Sequence, residues 1–206
     1  EKRGICRVEN GMRQSLSLPA YLALQAKEGS NIATPPLLKI LDPFADRSRG
    51  SLYIEVHEKK WETYIVTGID SSLYPDGKGE LLFGFSKNKL AEFGGDQQKF
   101  KSALLAEVRR YEVYRRALDG ERGEQSPAAT AEAAAQAESL WQRVQSYFNM
   151  LKVGLGDVVQ VPPFMPHSLQ AGVCVVEFQT PVYERLILAF NQKVLTQGHW
   201  DSEQAI

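Results

Sequence analysis

Cysteine is scarce in this 206-residue sequence: Cys6 and Cys174 are the only two, and histidine occurs just three times. Two cysteines make no disulfide framework, so a reducing compartment such as the cytoplasm is expected. An excess of either charge is also missing. With 24 basic and 25 acidic residues the net charge is -1, which excludes broad electrostatic attraction to nucleic acid or to an anionic membrane. No apolar run approaches the roughly 20 residues that span a bilayer, and no signal peptide is evident. Gly94-Gly95 lacks the phosphate-loop pattern. No Ser/His/Asp or Cys/His arrangement is present, and Cys174 lacks the basic neighbours a reactive thiol needs. The sequence starts at Glu1 and stops at Ile206 after a helix-like opening, as a trimmed or partial chain would.

What is present is a switch between two periodicities. The runs 35–43 (PPLLKILDP), 51–57 (SLYIEVH), 61–68 (WETYIVTG) and 80–85 (ELLFGF) read as strands, with a Pro-Asp-Gly turn at 75–77. In 51–57, Leu52, Ile54 and Val56 share one face, and Tyr53, Glu55 and His57 the other. The alternation allows either face to look inward. Helical spacing then takes over. Phe100, Leu104, Val108, Tyr111 and Leu118 form one stripe, with Asp96 as N-cap and Gly120 as stop. Ser126-Pro127 opens an alanine-rich second helix whose stripe runs through Ala133, Ala137, Leu140, Val144, Phe148 and Leu151. A short polar link makes the two a hairpin, whose stripes pack on the sheet or, where exposed, form a homodimer contact. Strand patterns return at 157–161, 172–179 and 183–190. Strands, a helical excursion and strands again predict a mainly β fold with inserted helices (α+β), a β-barrel or sandwich. The whole of 1–206 reads as one domain with a helical hairpin inserted at about 96–151.

Glu55 and His57 leave one strand on the same side, Glu62 follows five residues later, and His167 comes after the Pro162-Pro163-Phe164-Met165-Pro166 turn. Two imidazoles and two carboxylates from separate strands are donors for a divalent first-row metal. Proline fixes φ and removes an N–H, so such a turn holds a ligand rigidly at a strand end. Glu177 sits in an apolar strand and needs a partner there, for which Arg185 is a candidate. His199, beside Trp200, reads as helix-start packing.

The spacing of Gly50, Glu55-x-His57, Glu62 and Gly68, followed by Gly156-Asp157 and His167, resembles the two metal-binding motifs of the cupin superfamily, a small jelly-roll barrel. Within it the chain resembles the class I mannose-6-phosphate isomerases. The run LYIEVH is similar to that family's Leu-Ser-Val-Gln-Val-His strand, Lys60-Trp61-Glu62 to its Lys-x-Glu pair, 156–179 to its Gly-Asp to Glu-Ile-Gln segment, and 183–190 to its Tyr-Arg-Leu strand. The resemblance implies a cupin barrel, a metal-dependent aldose–ketose isomerase, and Glu55, His57, Glu62 and His167 as ligands of a divalent metal, usually zinc. It further implies Lys60, Glu177 and Arg185 as polar groups around the reacting carbons of a sugar or sugar phosphate. Four departures stand out. Glu55 replaces the family's Gln and adds a negative charge, the loop from His57 to Glu62 is short, and the hairpin is long. Phe164 occupies the turn glycine, so the turn cannot keep the same positive-φ conformation at low cost. These departures leave room for two other readings, an iron cupin oxygenase and a non-catalytic sugar-binding cupin.

Overall fold

The computed structural model describes residues 5–9, 13–17, 36–47, 50–120, 127–189, 191 and 199–206. Cys6, the link before Pro127 with its Ser126 cap, and Phe190 are expectations whose side-chain setting lies outside these residues. Two short strands, β1 (Ile5–Glu9) and β2 (Arg13–Ser17), pair antiparallel with each other. The remaining nine are β3 (Leu37–Leu41), β4 (Ile54–Val56), β5 (Glu62–Ile69), β6 (Gly79–Phe85), β7 (Phe148–Val153), β8 (Val158–Val161), β9 (His167–Leu169), β10 (Val173–Gln179) and β11 (Leu186–Ala189). They form two antiparallel sheets, ordered β3-β10-β5-β8 and β11-β4-β9-β6-β7. Four helices complete the described chain: α1 (Lys87–Glu92), α2 (Gln97–Gly120), α3 (Pro127–Gln145) and α4 (Ser202–Ala205). None of them is long and apolar enough to cross a membrane. The architecture is the mainly β fold with inserted helices that the periodicity predicts.

The two sheets bury their inner faces against each other. Tyr64, Val66, Val159, Val161, Val173 and Val175 of one meet Leu81, Val153 and Leu169 of the other. The five-stranded sheet is covered on its outer face as well. Ile54, Val56 and Leu82 point away from the inter-sheet space into a second core with Phe100, Leu104, Val108 and Tyr111 of α2 and Leu140, Trp141 and Val144 of α3. Each such side chain, fully removed from water, contributes about 1.5–3 kcal/mol before entropic costs. The helical hairpin is therefore the lid of one sheet, and the alternation along β4 is apolar outward and polar inward. This resolves the open choice of face: Glu55 and His57 look into the space between the sheets.

The helix ends are set locally. Asp96 accepts a hydrogen bond from the Lys99 amide at 3.0 Å, capping α2 as expected, and the helix is described as far as Gly120. α3 starts at Pro127 but ends at Gln145, short of the expected 151. Phe148 and Leu151 belong instead to β7, which pairs with β6 from Gly79↔Val153 to Phe85↔Phe148. A ladder partner and stacking of Phe148 on Phe85, with centroids 5.5 Å apart, outweigh the continuing helical spacing.

Candidate metal centre

His57, Glu62 and His167 are each 1% exposed, a burial that isolated polar side chains do not tolerate. Three strands bring them together with Glu55. β4 carries Glu55 and leads directly into His57, β9 begins at His167 opposite Glu55, and β5 begins at Glu62 on the facing sheet. One ligand atom from each of the four lies within 4.8 Å of the others. Glu62 oxygens stand 3.2 Å from His57 Nε2 and 3.2 Å from His167 Nε2, and Glu55 oxygens 3.6 and 3.7 Å from the same nitrogens. Despite this proximity neither Nε2 has an aligned hydrogen-bond partner. Buried imidazole nitrogens that converge with carboxylate oxygens, close but misaligned for hydrogen bonding, fit a cation between them better than each other. The donor set of two nitrogens and two carboxylates suits a divalent first-row ion.

The proline turn sets His167. Met165 N reaches the Pro162 carbonyl at 3.3 Å, Phe164 N donates to the His57 carbonyl at 2.6 Å, and Gly84 N to the Pro166 carbonyl at 2.8 Å. The turn is thereby tied to both neighbouring strands. Gly84, at φ 76°, allows this approach, because a Cβ there would stand 3.2 Å from Met165 Sδ. His167 Nδ1 lies 2.9 Å from the Met165 carbonyl. A proton donated there leaves the Nε2 lone pair facing the cluster. Phe164 keeps the costly positive φ, at 63°, and is the sole non-glycine residue among those described to do so. The hydrogen bond from its amide to the His57 carbonyl and a side chain that is 70% exposed let it hold that conformation.

Electrostatics follow the burial. Burial opposes ionisation of Glu62, but the two imidazoles and Lys60 outweigh it and hold its carboxyl far below the usual range. Burial likewise disfavours a charged His167, yet Glu62 and Glu55 raise its pKa above the ordinary 6.5. Positive charge is thus favoured between these carboxylates. Tyr64 Oη donates to Glu62 Oε2 at 2.9 Å, and burial followed by the nearby carboxylates pushes that phenol well up, keeping it a donor.

The polar residues expected around a substrate lie in the same neighbourhood with different partners. Lys60 Nζ is 2.7 Å from Glu62 Oε1 and 3.4 Å from Gln179 Oε1, and the residue is 4% exposed. Glu177 is 2% exposed, but its partner is Lys39, at 2.9 Å, and not Arg185. The ladder explains this, since Lys39 stands directly opposite Glu177 on β3. Burial and the Glu62 charge push the Glu177 carboxyl up, only partly offset by Lys39 and Lys60. Burial lowers Lys39, but Glu177 more than compensates and raises it. Arg185 instead donates through Nη1 to Tyr53 Oη at 2.8 Å. Lys39, Tyr53, Tyr64 and Gln179 were thus missing from the expected set, and so was Glu184. Its carboxylate accepts from the Lys59 and Lys60 amides at 2.8 and 3.1 Å and fixes the loop before Glu62. Only Lys39 gave a signal, as a single charge in an apolar run. Cys174 donates to Asp42 at 2.9 Å, and burial with that carboxylate pushes its thiol up to about 11, which makes it inert at neutral pH.

No family model and no curated protein matches the sequence. Solved structures do match in fold. A mutant of phosphomannose isomerase from Salmonella typhimurium superposes with a TM-score of 0.57 at 15% identity, over 97% of this chain and 61% of that one. A zinc-bound mannose 6-phosphate isomerase gives 0.53 at 14% identity, over 93% and 59%. A second mutant of the Salmonella enzyme gives 0.54 at 16% identity, over 93% and 59%. The chain spans about three fifths of the length of these structures. At such identity the likeness establishes the fold.

Proposed function

We propose that this chain is a metal-dependent aldose–ketose isomerase, moving a proton between C1 and C2 of a sugar or sugar phosphate through an enediol. The observation that carries the reading is the convergence of four ligand atoms within 4.8 Å, in a fold shared with a zinc-bound mannose 6-phosphate isomerase. Glu55, His57, Glu62 and His167 would hold the ion, and four nitrogen and oxygen donors favour zinc. When bound, a divalent metal supplies Lewis acidity toward the oxygens on C1 and C2. Two carboxylates neutralise that charge, so more of the oxyanion stabilisation falls to protein cations than in a site with one carboxylate.

The surrounding side chains have the attributes the reaction needs. Glu177 carries a carboxyl pushed up by burial and by Glu62, which suits a group that takes a proton from one carbon and returns it to the next. Lys39 and Lys60, paired at 2.9 and 2.7 Å with Glu177 and Glu62, orient both carboxylates. Arg185, always charged, offers a fork of donors for an oxyanion or a phosphate.

The test pairs elemental analysis with turnover. Protein purified without chelator should hold near-stoichiometric zinc, which His167→Ala loses. In heavy water it should exchange deuterium into C2 of mannose 6-phosphate or mannose. Iron together with oxygen consumption would turn the reading to an oxygenase. Bound metal and sugar with no exchange would leave a sugar-binding protein, and no metal in either protein would end the reading.

A further inference from the structure

The three cations around the metal cluster are not equivalent. Lys60 stands 2.7 Å from Glu62 and Lys39 2.9 Å from Glu177, so each is compensated by a carboxylate. Arg185 makes no ion pair within 4 Å among the described residues. Its partner is Tyr53, which accepts a hydrogen bond from Nη1 at 2.8 Å while its ring lies 5.0 Å from the guanidinium carbon. Arg185 directly precedes β11, whose Leu186 and Ile187 pair with Val56 and Glu55 of β4. Tyr53 lies two residues before Glu55. The pair therefore sits beside two of the candidate ligands.

A carboxylate in the place of Tyr53 would hold the guanidinium equally well but neutralise it. A phenol, uncharged at neutral pH, fixes it through a hydrogen bond and the face of a ring while leaving its charge unspent. We infer that Tyr53 is a positioning residue that holds Arg185 as the one uncompensated cation of the site, reserved for an anionic oxygen of the bound sugar. The inference rests on the isomerase reading and adds to it the residue that prepares the site for negative charge. The anionic oxygen has two sources, the enediolate of the reacting carbons or a phosphate on the sugar, and the assay separates them.

The experiment compares metal-loaded wild type, Tyr53→Phe, Arg185→Ala and the double variant. It uses mannose 6-phosphate and mannose as substrates, and gluconate 6-phosphate as an unreactive anionic ligand followed by calorimetry. Losing a hydrogen bond to a charged group while keeping the ring predicts that Tyr53→Phe is about tenfold impaired. Arg185→Ala is impaired further, and the double variant matches Arg185→Ala alone, because Tyr53 acts only through Arg185. A fall in kcat on both substrates assigns Arg185 to the enediolate. A rise in KM confined to mannose 6-phosphate, with weaker gluconate 6-phosphate binding, assigns it to phosphate. Effects that multiply in the double variant, an unimpaired Tyr53→Phe, or loss of metal from Tyr53→Phe would overturn the inference while leaving the isomerase intact. If metal-loaded wild type neither turns over nor binds any of the three compounds, the isomerase reading fails and this inference fails with it.

Discussion

His167 Nδ1 faces the carbonyl of Met165, two residues earlier in the chain, at 2.9 Å, so the turn that delivers the imidazole also orients it. The opposite nitrogen lies 3.2 Å from Glu62. Without a metal that nitrogen holds a proton more tightly than a free imidazole, because Glu62 and Glu55 overcome the effect of burial. A metal must displace this proton. Zinc uptake near pH 7 is therefore expected to release protons, seen as a dependence of the calorimetric heat on buffer ionisation enthalpy. Zinc affinity should rise as pH increases through the elevated His167 value. The stability that the His167–Glu62 contact gives the metal-free fold has the opposite sense. It is fully present below pH 6.5, the ordinary histidine value, and is lost as pH climbs through the raised one.

Tyr64 holds one oxygen of Glu62 from the fully buried side. Outer-shell partners of metal ligands change affinity by about 10–100-fold when removed. Tyr64→Phe should lower zinc affinity by about tenfold in competition with a chromophoric chelator. The cost in unfolding free energy should be about 1 kcal/mol, that of one buried hydrogen bond.

Glu177→Gln separates chemistry from stability. The folded protein raises the Glu177 pKa, through burial first and the Glu62 charge second. The fold thus favours the protonated form. Its contribution to stability is present below the ordinary carboxylate value of 4.5 and is lost as pH rises through the higher folded value. Glutamine mimics the protonated acid. The variant is therefore expected to be more stable than wild type to urea at pH 7, to lose that advantage toward pH 4, and to isomerise at least about a hundredfold more slowly.

Phe164 stands at φ 63°, a region that costs an ordinary side chain about 1–2 kcal/mol. Glycine avoids that strain and gives back part of the gain in unfolded-chain entropy. Phe164→Gly should therefore raise stability by about 0.5–1 kcal/mol in denaturant titration, and metal content should stay unchanged if the turn keeps its hydrogen bond to His57.

Much of the fold could be read from alternation and helical spacing, because those periods report which residues share a face. The same signal did not say which face of β4 looks inward. Helices cover the outer side of that sheet, so Ile54 and Val56 are as buried as His57. The end of α3 was misread because Val144, Phe148 and Leu151 continue at helical spacing across the point where β7 finds its ladder partner. Glu55, His57, Glu62 and His167 could be picked out because few residue types ligate metals. Lys39 could not be matched to Glu177, since register between strands more than a hundred positions apart is written in no local pattern. Tyr53 read as an aromatic on a strand face, and its contact with Arg185, which arrives 132 positions later just before the neighbouring edge strand, is written in no local pattern.

Glu62 and His167 bracket in sequence both the helical hairpin and three strands of the sheets. An ion shared by them would clasp the two ends of a chain segment more than a hundred residues long. Such a clasp shortens the loop available to the unfolded chain as a cross-link does, and its effect grows with the logarithm of the segment's length. The hairpin, remote from the chemistry, would then depend on the metal for part of its hold on the sheet.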